Sequence, residues 1–209
     1  MEILMINASP RAPISHSKEY ARMLAQQFLS NQEITVKHTI ALGEKRIEES
    51  AACTQSADHV VLVFPLYVDS VPVTVLSLFS CLERLYAAKK AKFVMHVVVN
   101  CGFLEAYQND TAVAAVKLFC KQNDIAFGSA LCIGSGEAIL GTPFRRRVEK
   151  ALCKLSESIV NGEEETYYVQ MPLPKWMFVR AGNRFWQKRG EANGLTYAQM
   201  ASGEIKGNS

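Results

Sequence analysis

The six cysteines, Cys53, Cys81, Cys101, Cys120, Cys132 and Cys153, include no C-x-x-C pair, and the four histidines, His16, His38, His59 and His96, show no metal-ligand spacing and no H-E-x-x-H. Zinc and iron–sulfur centres need clustered ligands, so no metal is expected, and the thiols read as reduced core residues of a cytoplasmic protein. No G-x-G-x-x-G follows the first apolar run, which weighs against a dinucleotide-binding Rossmann domain; Gly134-Ser135-Gly136 lacks the G-x-S-x-G frame of an α/β-hydrolase and reads as a turn. No apolar run approaches the length of a membrane span, and no basic region with an apolar core opens the chain, so neither stable membrane insertion nor a signal peptide is expected. The net charge is only +3, with basic residues clustered at Arg145-Arg146-Arg147 and across residues 175–189, so no nucleic-acid partner is expected.

What is there is an alternation. Across 209 residues, 49% hydrophobic and 21% charged, apolar segments of strand length (2–7, 35–39, 60–64, 93–100 and 129–134) alternate with segments of helical period (17–30, 71–88, 111–123 and 143–161), and a further helix is expected around 48–57. Runs such as Val60-Val61-Leu62-Val63-Phe64 are apolar on both faces, as strands of a covered parallel sheet are. The pattern predicts an α/β fold, a doubly wound five-stranded parallel sheet of order 2-1-3-4-5, over residues 1–162, followed by a C-terminal extension over residues 163–209. In that order the ligand crevice lies beyond the carboxyl ends of strands 1, 3 and 4.

The loops at those three ends are chemically distinctive. After strand 1, Ser9-Pro10-Arg11 leads through Ser15, His16 and Ser17 into a helix. Unpaired N–H groups at a helix N-terminus, hydroxyls and an Arg fork suit a phosphate, although Ser15 or Ser17 would cap the helix with or without one. After strand 3, two prolines frame Pro65-Leu66-Tyr67-Val68-Asp69-Ser70-Val71-Pro72, offering a stiff backbone and a flat aromatic surface. After strand 4, Asn100-Cys101-Gly102-Phe103-Leu104-Glu105 offers a glycine that permits close approach, beside an aromatic ring.

Together these three stretches resemble the NAD(P)H-dependent FMN reductase branch of the flavodoxin-like superfamily, over about the first 160 residues. The resemblance implies that Ser9, Arg11, Ser15, His16 and Ser17 hold the FMN phosphate. It implies likewise that Pro65, Leu66, Tyr67, Val68, Asn100, Gly102 and Phe103 hold the isoalloxazine ring. It further implies NAD(P)H as cosubstrate, a small acceptor such as a quinone, a nitro or azo compound or a flavin, and a homodimer. Hydride transfer through a flavin needs no protein acid or base, so no catalytic side chain is named. Two departures from the family pattern stand out: Ala8 where glycine is common, and one extra residue between Arg11 and Ser15. The compact cysteine cluster of the iron–sulfur flavoproteins is absent, leaving a flavin-only site.

Two other readings share the fold. A flavodoxin-like electron carrier would use the same FMN site but ordinarily has a strongly acidic surface, unlike this chain; a non-enzymatic interaction domain that has lost the cofactor would account for Ala8 and the altered loop. Beyond Glu163-Glu164-Glu165, Pro172 and Pro174 precede a basic, aromatic helix candidate containing Trp176, Met177, Val179, Arg180, Arg184, Phe185, Trp186, Lys188 and Arg189. This segment reads as a cap on the domain, a dimer contact or a lid. A membrane-surface helix ranks behind these because the stretch looks short and broken.

Overall fold

The computed structural model describes residues 1–12 and 14–202; Pro13, within the first loop, and residues 203–209 of the expected extension lie outside the described residues. Two compact units result, Met1–Met171 and Pro172–Ser209. The first contains β1 (Glu2–Asn7), α1 (His16–Gln27), β2 (Thr35–Ile40), α2 (Glu44–Cys53), β3 (His59–Pro65), α3 (Val73–Tyr86), β4 (Val94–Asn100), α4 (Asp110–Gln122), β5 (Ala126–Ile133), α5 (Arg145–Asn161) and β6 (Thr166–Val169). The second contains α6 (Lys175–Ala192) and α7 (Tyr197–Ser202).

The strands form one parallel sheet of order β2-β1-β3-β4-β5-β6. The doubly wound α/β class is as expected, but the sheet has six strands and not five. Gly162 ends α5 in the left-handed conformation, φ 70°, and turns the chain back along β5. The amide of Ala130 then donates to the Glu165 carbonyl at 2.8 Å, and that of Gly134 to Val169 at 2.8 Å. Residues 163–171 therefore belong to the sheet unit, and the compact units divide at Pro172 rather than at residue 163.

Covering both faces explains the continuous apolar strands. On one face α2, α3 and α4 bury Ile47, Val75, Leu78, Val116 and Phe119 against Leu4, Ile6, Leu62, Phe64 and Val97, with the Phe79 and Phe119 rings stacked 3.8 Å apart at 4°. On the other, α1 and α5 contribute buried Tyr20, Leu24, Val148, Leu152 and Ile159.

A polar feature sits in the strand interior away from the carboxyl edge. At His96 the register of β4 against β5 shifts, and the His96 Nδ1 accepts the Ser129 amide at 2.9 Å. With Nδ1 serving as acceptor, the neutral ring carries its proton on Nε2 and donates it to Nδ1 of His59 at 3.0 Å. The His96 ring fills the space above Gly128, leaving no room there for a Cβ. Burial, and then the neighbouring His59, push the His96 pKa down to about 3.

Candidate functional site

The carboxyl ends of β1, β3 and β4 are adjacent in the sheet, which brings the three chemically distinctive loops to one edge. Each is fixed by its own short-range bonds. In the first loop, the Ser9 amide donates to Asn7 Oδ1 at 3.1 Å, the Arg11 amide to Ser9 Oγ at 3.2 Å, and the Ala12 amide to the Ser9 carbonyl at 3.0 Å. Ser9 is buried; Arg11 and His16 are exposed. Ser15, not Ser17, is the N-cap of α1: its Oγ accepts the Lys18 amide at 3.2 Å. The N–H groups of the first turn that follows precede any intrahelical acceptor and point toward the loop.

Ser17 turns inward. Its buried hydroxyl donates to Asn100 Oδ1 at 3.0 Å, and the Asn100 carbonyl accepts the Leu66 amide at 2.8 Å. Asn100 thus ties the first helix, the second loop and the end of β4 together. Its register partner across the strands is Pro65.

The second loop is a tight reversal in which Tyr67 and Ser70 exchange both backbone hydrogen bonds at 3.0 Å. Val68 and Asp69 at its tip both have positive φ, 47° and 54°. For a β-branched residue that conformation is costly, and Val68 is 96% exposed, so no packing of its side chain compensates. The Thr111 hydroxyl on α4 donates to the Asp69 carbonyl at 2.5 Å and pins the turn. Tyr67 is 40% exposed, while Leu66 packs against the core.

In the third loop Phe103 is 50% exposed, and a Cβ placed on Gly102 would meet nothing within 4 Å. The chain's own packing does not require glycine there; the open space above it is of the kind a flat ligand fills. Cys101 is buried, and burial raises its thiol pKa, so it is not a reactive group.

Behind this loop lies a support that the sequence pattern did not reveal. The amides of Ser135 and Gly136 donate to the carbonyls of Phe103 and Cys101, and the buried Tyr20 hydroxyl on α1 donates to the Gly136 carbonyl at 2.6 Å. Gly134 and Gly136 have no room for side chains against Leu104 and Asn100. The Gly134-Ser135-Gly136 turn is therefore structural, as expected, and it clamps the third loop. Of the arginine triplet opening α5, Arg145 is engaged with Glu19 at 3.2 Å and Glu149 at 3.1 Å. The Glu19 carboxyl is held below its ordinary pKa first by its hydrogen bond to Arg22.

No family model and no curated protein matches the chain. Solved structures do. An NADPH-quinone reductase from P. pentosaceus superposes with a TM-score of 0.55 at 16% identity, covering 75% of this chain and 98% of that one. An FMN-dependent NADH-azoreductase from Bacillus anthracis, in complex with FMN, gives 0.59 at 14% identity, covering 76% and 98%. A flavodoxin from Streptococcus pneumoniae TIGR4 gives 0.54 at 11% identity, covering 77% and 99%. With the strand order and the three-loop edge, these likenesses give the chain a flavodoxin-like α/β fold.

Proposed function

We propose that the edge formed by the three loops binds FMN, and that the protein is an oxidoreductase taking hydride from NAD(P)H and reducing a small acceptor: a quinone, a nitro or azo compound, or a flavin. The observation that carries this reading is the convergence of a capped helix N-terminus, an exposed Tyr67 and an open Gly102-Phe103 backbone at the carboxyl ends of adjacent strands. The reductases with the same fold named above support it.

In this reading Arg11, Ser15, His16 and the first-turn amides hold the phosphate, with Ser9 shaping the loop beneath them. Tyr67, Val68 and Phe103 flank the ring, and Gly102 lets the backbone approach it. Pro65, Leu66, Ser17 and Asn100 contribute through the backbone and by fixing the loops, because the Ser17 and Asn100 side chains bond each other. Bound FMN would supply the hydride-accepting chemistry, and no protein acid or base is assigned. The helix N-terminus that closes the first loop suits a terminal phosphate, which favours FMN over FAD.

Two further elements belong to this proposal. Val73 and Leu76 are exposed on the first turn of α3, directly after the second loop, and suit a two-fold contact that would make a homodimer. Free thiols, with Cys53 and Cys153 exposed, suit the reducing cytoplasm. The test is an absorbance spectrum of the purified or FMN-reconstituted protein, followed by anaerobic NADH or NADPH. A flavin spectrum bleached directly by either nucleotide supports the reductase; a bound flavin that neither bleaches points to an electron carrier; and failure to bind FMN rejects the flavin site.

A further inference from the structure

α6 is an unbroken helix of 18 residues, not the short, interrupted segment that its sequence suggests. At 100° per residue, Phe178, Ala181, Phe185 and Trp186 share one side. Arg180, Arg184 and Lys188, four residues apart, share the other. With Lys175 and Arg189 the helix carries five cations, against the single carboxylate of Glu191. Large apolar groups are exposed: Trp186, on the aromatic side, by 59%, and Trp176, which projects between Trp186 and Arg180, by 64%. The Arg189 guanidinium lies 6.0 Å from the Trp186 ring centroid, and by the same rotation Arg189 falls between Phe178 and Trp186, so a cation lies within the aromatic side and must reach outward past the rings. α7 folds back on the end of the helix, where Met200 packs on Gly190.

We propose that α6 docks the protein reversibly, lying side-on, on an anionic lipid surface. The charge complement selects this occupant. A second copy of α6 would set five cations against five, whereas lipid phosphates neutralise them, and Trp and Phe beside Arg and Lys are the residues that settle at a headgroup boundary. No helix among the described residues is long and apolar enough to cross a membrane, so the contact is superficial. The inference does not depend on the flavin reading.

The chain has two tryptophans, Trp176 and Trp186, both on α6, so selectively excited tryptophan emission reports on this helix alone. The full-length protein is mixed with vesicles of equal phosphatidylglycerol and phosphatidylcholine, or of phosphatidylcholine only. Cosedimentation and a blue-shifted emission are expected with the anionic vesicles at low salt, both reversed by high salt. The variant R180Q/R184Q/K188Q should lower the partition coefficient on the order of a hundredfold, at about fivefold per cation. The control R146Q/R147Q on α5 should leave it unchanged. The proposal is overturned if anionic vesicles leave the protein in the supernatant, or if binding is lost through the α5 control instead. It is equally overturned if vesicles leave the emission unmoved while W186A dissolves a concentration-dependent dimer, which would assign the face to a second copy.

Discussion

Ser17 and Asn100, 83 positions apart in the chain, share a buried hydrogen bond of 3.0 Å, hydroxyl to amide oxygen. Because the Asn100 carbonyl also accepts the Leu66 amide, this one residue registers α1 and the second loop against the end of β4. Replacing Ser17 with Ala leaves the Asn100 oxygen buried without its donor. A loss of about 1–3 kcal/mol in unfolding free energy is expected from urea titration. An unchanged midpoint would show that the bond contributes nothing net.

Arg11 is exposed beside the α1 N-terminus. If it reads the cofactor's phosphate, Arg11→Ala weakens FMN by about 1.5–3 kcal/mol, the range for hydrogen bonds to charged groups, and leaves riboflavin almost unaffected. Parallel fluorescence titrations decide the matter, since equal losses for both ligands would remove Arg11 from the phosphate site.

Gly102 provides a complementary probe. A methyl group there meets no atom within 4 Å, so Gly102→Ala should keep the urea midpoint of the wild type. FMN affinity should fall by about 1–3 kcal/mol, the typical cost of overpacking, if the ring lies over this backbone. Retained affinity would place the ring elsewhere.

The strained tip of the second loop predicts a stabilising change. Asn tolerates the left-handed conformation that Val68 adopts, φ 47°, so Val68→Asn should raise unfolding free energy by about 1 kcal/mol. A lower denaturation midpoint would contradict the strain.

His96 makes stability depend on pH. Its pKa is depressed in the fold to about 3, from an ordinary 6.5. Below 6.5 the unfolded chain takes up a proton that the folded chain refuses. Stability is thus full above that pH and falls by about 1.4 kcal/mol per pH unit as pH drops toward 3. The depressed His59 pKa acts in the same direction. Urea midpoints measured from about pH 7 to about pH 4 should show this slope, and His96→Leu should flatten it.

The strand alternation was legible because burial on both faces writes itself as continuous apolar runs, and the three loops because turn chemistry is local. β6 was not, since Thr166-Tyr167-Tyr168-Val169 is four residues long and follows an acidic run that reads as loop. α2 begins at Glu44 and ends at Cys53, earlier than its apolar spacing suggests, because Gly43 at φ 79° turns the chain into it. The partnership of Ser17 with Asn100 and the bond from Tyr20 to Gly136 join positions far apart in the chain. Hydroxyl and amide side chains carry no periodic signal that would reveal such partners.

β6 also governs how the protein behaves in a crowd of its own kind. The last four residues of β5, Ala130-Leu131-Cys132-Ile133, are buried, and as an open edge they would offer a flat, greasy template to any other unpaired strand. Four residues of β6 cover them in parallel register and present Tyr168, half exposed, as the new boundary. At the opposite side β2, with Lys37 and His38 on its exposed surface, is polar enough to stand uncovered. The ten or so residues between Gly162 and Pro172 thus act as a hem: fraying there would bare a sticky edge and, because the Met171 amide donates to Ser135 Oγ and Gln170 Oε1 accepts the Ala106 amide, would loosen the third loop with it.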